Sequence, residues 1–348
     1  MLFRVFPKDE LAVLFERLGE RRVVGPVSRG RDRNGRNLYD FAAIGAFGDL
    51  ALDYSTTVYS PKNWFLPYRE EVSSFRVEGR EWQRAVDLAA GPPTVYFGLH
   101  ACDINALQKL DKVLLSGGWP LTHYAAKRSQ AFIIGVSCLP REHCFCRSMG
   151  TDQARQGFDL FLTDLGDCYF AEVLSAEAFE LLRHLETREP DRGEHELYLQ
   201  WVRKRERSFT CRVDTTDLTK ILDLEFQAEV WREWGTKCFS CGTCASVCPT
   251  CYCYGVTENV DLDLKGAHKI RHLHSCNLID FAEVAGGHNF RPESHTRLKY
   301  RYYHKHRGFV EAYEEPLCVG CGRCGEACLA GITVPDVIAS VRHEGDRG

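Results

Sequence analysis

Hydrophobic positions in the first two hundred residues alternate between the short runs typical of strands and the wider spacing typical of helices. The short runs predict four β-strands, at 94–99, 131–137, 159–165 and 168–174, and the last two are expected to form a hairpin around Gly166 and Asp167. Helical spacing predicts three helices, carried by Leu11, Leu14, Phe15 and Leu18, by Ile104, Leu107, Leu110 and Leu114, and by Phe179, Leu182 and Leu185. Strands that alternate with helices indicate an α/β domain.

Flanking residues suggest where these elements begin and where the domain ends. Asp103 is the expected N-cap of the second helix, and Ser175 is the expected N-cap of the third. Between about 186 and 215 the chain becomes highly charged, which predicts a helical or extended connector. We therefore expect an α/β domain at 1–215 and a second domain at 216–348, so that the fold class is α+β.

Composition narrows the class of protein. Of the 348 residues, 44% are hydrophobic, which is enough for a core, and the 26% that are charged do not indicate disorder. The net charge of −4 disfavours a nucleic-acid partner, although the run at 297–307 is basic and rich in aromatics. We interpret that run as a solvated or partner-docking helix. No secretory signal and no apolar run of membrane-spanning length is evident, so we expect a cytoplasmic protein without membrane insertion.

Two cysteine motifs with the same spacing carry the chemistry. They occupy Cys238, Cys241, Cys244 and Cys248, and then Cys318, Cys321, Cys324 and Cys328. This spacing is typical of two-cluster ferredoxins, in which the fourth cysteine of each motif binds the other cluster. We therefore predict two [4Fe–4S] clusters, the first held by Cys238, Cys241, Cys244 and Cys328, the second by Cys248, Cys318, Cys321 and Cys324. Zinc stays open as an alternative, because four-cysteine zinc sites also use C-x-x-C pairs.

The insert between the motifs indicates how the second domain folds. It is about seventy residues long, far longer than in small bacterial ferredoxins. Its segments 260–285 and 295–313 both have helical character. We therefore predict an α-helical ferredoxin domain.

Four cysteines of the first domain form a candidate third site. Cys102 and Cys138 each follow a predicted strand, and ligands of open α/β sheets gather beyond the carboxyl ends of strands. With Cys144 and Cys146 they provide four thiolates, enough for a third [4Fe–4S] cluster; zinc and inert buried thiols stay open. The five other cysteines are expected to be core or surface thiols: Cys168, Cys211, Cys251, Cys253 and Cys276.

Several stretches together resemble a known family: PKNWFLP, FGLHACDINALQKLD, CFCRSMG, DLFLTDLG, CFSCGTCASVCPTCYC, SCNLIDFAEVAGGHNFRP, YHKHRGF and CVGCGRC. The chain resembles the iron–sulfur β subunit of cytosolic [NiFe] sulfhydrogenases and the related A subunit of anaerobic sulfite reductase. The resemblance implies an electron-transfer subunit between a flavin-binding, NAD(P)H-reactive subunit and a catalytic unit. That unit would be the small and large hydrogenase subunits or, alternatively, the sirohaem sulfite reductase subunit.

A second class of function stays open at this point. No G-x-G-x-x-G after a predicted strand and no Walker loop indicates a nucleotide site, and no catalytic residue can be assigned. The chain could nevertheless be a stand-alone iron–sulfur oxidoreductase whose first-domain cluster is incompletely ligated and binds substrate. In that case one of the four cysteines of the first domain would be dispensable for cluster assembly.

Overall fold

The computed structural model describes residues 2–86 and 91–344. Its strands are β1 (Leu2–Pro7), β2 (Arg22–Arg31), β3 (Asn37–Ile44), β4 (Arg69–Glu78), β5 (Glu81–Ala85), β6 (Thr94–Leu99), β7 (Ala131–Val136), β8 (Leu160–Asp164), β9 (Cys168–Val173), β10 (Tyr254–Val260) and β11 (Gly266–Leu273). Its helices are α1 (Glu10–Arg17), α2 (Lys62–Phe65), α3 (Ala101–Leu114), α4 (Thr122–Ser129), α5 (Ala176–Leu182), α6 (Arg192–Arg207), α7 (Leu218–Leu224), α8 (Val230–Lys237), α9 (Thr243–Ser246), α10 (Ser294–Tyr303), α11 (Phe309–Tyr313), α12 (Arg323–Glu326) and α13 (Val334–Glu344).

The larger sheet in this part of the chain has the strand order β1-β9-β8-β7-β6-β2-β3. Strands β8, β7, β6 and β2 run parallel, whereas β9 and β3 pair antiparallel with their neighbours and β1 pairs antiparallel with β9. Strand β6 is buried along its whole length, as expected for the centre of a parallel sheet. The α/β prediction for the first part of the chain is confirmed, and the parallel centre directs the carboxyl ends of β6 and β7 to one edge of the sheet.

Most of the elements predicted from periodicity are present. Strands β6 to β9, their hairpin and helices α1, α3 and α5 are confirmed, and the charged connector contains helix α6. The Ser175 hydroxyl caps α5 by accepting a hydrogen bond from the Ala178 N–H at 3.2 Å. The N-cap prediction for Asp103 is wrong: His100 occupies that position, and Asp103 lies in the first turn of α3, fully buried against Arg323.

The smaller sheet joins strands from both sides of residue 215. Within the described residues its antiparallel order is β10-β11-β4-β5. Helical structure predicted at 260–285 is wrong, because this segment supplies the end of β10 and all of β11. Pairing of β11 with β4 outweighs the local helical preference, and such distant pairing cannot be read from periodicity. The division of the chain at residue 215 stays a prediction.

A second hydrophobic core lies among the helices of the C-terminal part. Helices α8 and α10 pack against each other, and α13 contacts α7 and α8. Buried Trp231, Leu298, Tyr302 and Val337 form its centre, and Cys238, Cys318, Cys324 and Cys328 pack against its edge. The helical prediction for 295–313 is confirmed: α10 passes through a π-turn at His304–Gly308 into α11. No helix within residues 2–86 and 91–344 has the length and apolar character needed to cross a membrane.

Candidate metal centre

The two cysteine motifs adopt the same backbone conformation. The Ser240 N–H donates to the Cys238 Sγ at 3.4 Å, and the Gly320 N–H donates to the Cys318 Sγ at the same distance. Each loop has two left-handed residues: Ser240 and Gly242 in the first (φ 52° and 75°), Gly320 and Gly322 in the second (φ 64° and 76°). The loops therefore turn their amide groups toward sulfur, which stabilises a thiolate.

Short helices continue each loop and bring the two motifs together. Helices α9 and α12 begin directly after the left-handed glycines and contact each other. Burial, together with the neighbouring thiolates of Cys324 and Cys248, raises the pKa of Cys318 to about 11. Cys248, from the first motif, thus lies beside the second loop. Burial raises the pKa of Cys244 to about 11 as well, and Cys324 and Cys276 contribute to the same shift.

Cys241 differs from the other seven motif cysteines because it is exposed. Its Sγ lies 3.3 Å from the Thr243 hydroxyl, and this hydrogen bond lowers the pKa of the Cys241 thiol. Cys248, in contrast, is buried. One edge of the first loop therefore faces solvent while the contact between the two loops is protected from water.

The four cysteines of the first domain converge at the carboxyl ends of β6 and β7. Cys102 lies in the first turn of α3, Cys138 follows β7, and Cys146 opens a 3-10 turn at Cys146–Met149. Burial raises the pKa of Cys138 to about 12, with a contribution from Cys144. Burial also raises the pKa of Cys146, and Cys138 and Cys144 add to it. The mutual electrostatic influence places Cys138, Cys144 and Cys146 near one another.

The loop that carries Cys144 and Cys146 packs directly on the second cysteine loop. The Phe145 N–H donates to the Gly320 carbonyl at 2.8 Å, and the Thr151 hydroxyl donates to the Val319 carbonyl at 2.6 Å. The Cys144 Sγ lies 3.7 Å from the Cys321 carbonyl. The first-domain thiols are consequently neighbours of the second loop.

A buried ion pair fixes this contact. Both guanidinium Nη atoms of Arg323 lie 2.8 Å from the carboxylate oxygens of Asp103, and the two side chains are 1% and 0% exposed. Arg323 follows Cys321 and Gly322, whereas Asp103 follows Cys102. The pair therefore ties the second cysteine loop to the first-domain thiols.

Three of the cations on helix α10 and the following turn are buried, contrary to the prediction of a solvated helix at 297–307. Arg297, Arg301 and Lys305 recur every four residues and so share one helix face. This four-residue spacing is visible in the sequence and indicates a common face. The Arg297 guanidinium donates to the Ser240 Oγ at 3.0 Å, and the Lys305 ammonium donates to the Thr250 Oγ1 at 2.9 Å. Buried Lys62 donates to the Cys251 carbonyl at 2.8 Å.

These four cations lack acidic partners. Among the described residues, no carboxylate lies within ion-pair distance of Lys62, Arg297, Arg301 or Lys305. Burial lowers the pKa of Arg301, but the thiolates of Cys244 and Cys324 outweigh that effect and raise it overall. Buried cations require buried negative charge. An oxidised iron–sulfur cube held by four thiolates is a dianion, so two such groups fit this surplus of positive charge.

The five remaining cysteines differ in burial and position. Cys168 is half-buried on β9, and half-buried Cys211 lines a cavity together with Cys324. Cys251, Cys253 and Cys276 lie beside the first loop. The Arg301 guanidinium is 4.0 Å from the Cys251 Sγ. In residues 2–86 and 91–344 no three Cys, His, Asp or Glu side chains are grouped closely enough for a single metal ion.

Comparison with known proteins supports an iron–sulfur assignment. Residues 237–332 match the family model of the 4Fe-4S dicluster domain. Over 332 residues the chain is 38% identical to sulfhydrogenase 2 subunit beta of Pyrococcus furiosus, an alignment that covers 94% of this chain and 95% of the relative. No solved structure matches the chain at a significant level.

Proposed function

Because the chain belongs to the family of sulfhydrogenase β subunits, we propose that it transfers electrons between a flavin-binding, NAD(P)H-reactive subunit and a [NiFe] hydrogenase module. The 4Fe-4S dicluster domain supports the electron-transfer role. The partners are taken from the resemblance of the sequence, and the name of the relative favours a hydrogenase over a sulfite reductase.

The proposed ligands of each site come from the two cysteine motifs and from the cysteines of the first domain. The first site is held by Cys238, Cys241, Cys244 and Cys328, and the second by Cys248, Cys318, Cys321 and Cys324. The contact of α9 with α12, together with the electrostatic influence of Cys248 on Cys318, supports this exchange of fourth ligands. The third site is held by Cys102, Cys138, Cys144 and Cys146. When bound, a [4Fe–4S] cluster at each site supplies the uptake and release of single electrons.

The observation that carries the proposal is the contiguity of the three sets of thiols. The second loop contacts the first-domain loop through Gly320 and Phe145, and it receives Cys248 from the first motif. The second set therefore lies between the third and the first. Cys248 of this set is buried and the other three cysteines are partly buried, whereas Cys241 faces solvent at one end. A contiguous arrangement with a less exposed middle and an exposed end suits transfer between two partners.

Substitution of one exposed ligand tests the proposal. In the reconstituted complex, Cys241→Ser is expected to abolish NAD(P)H-linked hydrogen turnover, because the first site loses a ligand. Hydrogen-dependent reduction of an artificial dye by the hydrogenase module should persist. Cys168→Ser, which changes a half-buried thiol on β9, is the matched control and should leave both activities intact. Undiminished coupled activity in Cys241→Ser, or substrate turnover by the isolated chain, would contradict the proposal.

A further inference from the structure

Buried positive charge is distributed unequally between the C-terminal pair of sites and the third site. Around the C-terminal pair, Arg301 and Lys305 have no carboxylate partner among the described residues. They extend from one face of α10 and its π-turn, and the Lys305 ammonium donates to the Thr250 hydroxyl, which lies 3.4 Å from the Cys248 Sγ. The thiolates that act on Arg301 come from Cys244 and Cys324, one in each motif.

At the third site each nearby cation is matched by an acid. Arg323 is held by Asp103 at 2.8 Å, and Arg205 lies 3.7 Å from the Asp152 carboxylate. Arg141, three residues after Cys138, pairs with Glu326, which it shares with Arg36. A neutralised cation contributes much less to the local potential than an unpaired one at the same place.

Reduction of an iron–sulfur cluster adds one negative charge to a site that is already anionic. Unpaired positive charge nearby stabilises the reduced form and therefore raises the reduction potential. Burial strengthens the effect, because water and salt screen buried charges poorly. Arg301 and Lys305 are 5% and 3% exposed, so water and salt screen their charges poorly.

We propose that the buried charges of Arg301 and Lys305 raise the reduction potentials of the two C-terminal sites above that of the third site. Electrons that enter at the third site then settle in the C-terminal pair, and the exposed Cys241 end becomes the exit. This inference rests on the proposed function, since it requires all three sites to hold clusters.

Potentiometric titration of the full-length, anaerobically purified holoprotein, followed by EPR, tests it. Arg301→Gln and Lys305→Met remove charge at nearly constant size. In each variant we expect the C-terminal midpoints to move to more negative potential by at least a tenfold change in the one-electron equilibrium, which is about 59 mV. Arg301→Lys keeps the charge and should remain near wild type, which separates loss of charge from loss of packing.

Two further variants serve as a control and as the converse test, in which an unpaired charge is created. Arg307→Gln is the matched control, because Arg307 lies in the same turn but is bound at the surface to Asp223 at 2.9 Å. It should not move any midpoint. Asp103→Asn leaves Arg323 unpaired and should raise the midpoint of the third site, whose signal is assigned by its loss in Cys138→Ala.

The outcomes distinguish this inference from the proposed function. Unmoved C-terminal midpoints in both charge-removing variants, or an equal shift in Arg307→Gln, would overturn the inference while leaving a working relay. A wild-type third-site midpoint at or above the C-terminal ones would overturn it as well. Absence of iron or of any EPR signal in the wild-type protein would instead overturn the proposed function itself.

Discussion

Arg323 links the two parts of the molecule through a single side chain. It is the residue between Cys321 and Cys324 that follows the left-handed Gly322, and its guanidinium bonds both Asp103 and the Thr57 carbonyl. The motif spacing specifies only the cysteines, so nothing in the sequence distinguished this arginine from a surface residue. Its role depends on a partner 220 positions away in the chain.

Removing Arg323 is expected to cost substantial stability. Arg323→Met leaves the Asp103 carboxylate buried and unpaired, which should lower the free energy of unfolding by about 3–5 kcal/mol. The double variant Arg323→Met with Asp103→Leu leaves no orphaned charge and should recover much of that loss. Anaerobic urea denaturation of the holoprotein measures both. Equal stability of the single and double variants would contradict the assignment of this pair.

Cys241 should be the most reactive motif thiol once metal is removed. It is exposed, and the Thr243 hydroxyl lowers its pKa, so a larger fraction is thiolate at neutral pH. In the metal-free, reduced protein we expect iodoacetamide to label Cys241 ahead of the buried Cys248. Thr243→Val removes the hydrogen bond, which shifts the pH profile of alkylation upward and slows labelling at pH 7.

Mass spectrometry after brief alkylation measures the extent of labelling at each cysteine. The Thr243→Val protein is compared with wild type in the same preparation, and labelling of Cys168 provides the internal reference. Should Thr243→Val label at the wild-type rate across the pH range, the hydrogen bond has no influence on the thiolate.

At the scale of elements, the packing of one loop on another depends on Gly320. A Cβ at this position would lie 2.6 Å from the Phe145 carbonyl oxygen and from the Cys146 nitrogen, and φ is 64°. Gly331 has the same left-handed backbone (φ 65°), but no atom lies within 4 Å of its would-be Cβ. The two glycines therefore separate steric exclusion from backbone strain.

We predict that Gly320→Ala disrupts the third site whereas Gly331→Ala does not. The displaced Phe145–Cys146 segment should lose its cluster, so that iron falls by about four atoms per chain. Gly331→Ala should retain the wild-type iron content, with only the cost of alanine in a left-handed conformation. Equal iron loss in both variants would show that backbone strain, and not the contact with Phe145, is responsible.

The elements also show which features a sequence can reveal. The repeated cysteine spacing is local, so the two loops, their equivalence and the positions of Cys102 and Cys138 after strands could be predicted. Pairing of β11 with β4 is non-local, and its alternation is obscured by charged residues such as Arg271, which is buried against Glu70. The periodicity at 260–285 therefore predicts a helix where the structure has strands. The four-residue spacing of Arg297, Arg301 and Lys305 is visible in the sequence. Their burial, however, depends on thiols that lie far away in the chain.

At the scale of the whole molecule, the three thiol sets depend on contacts that cross the predicted division at residue 215. The sheet β10-β11-β4-β5, the ion pair of Arg323 with Asp103 and the contact of Phe145 with Gly320 each join the two parts. The first-domain thiols are consequently held in place by the C-terminal loops. The amount of bound metal should therefore be measured on the intact chain.

The most direct test of the account is the content of iron, acid-labile sulfide and zinc in the anaerobically purified wild-type chain. Three [4Fe–4S] sites predict about twelve irons and about twelve sulfides per chain, falling to about eight of each in Cys138→Ala. Colourless protein that contains zinc or no metal would contradict the account. A wild-type value of about eight irons that Cys138→Ala leaves unchanged would remove the third site.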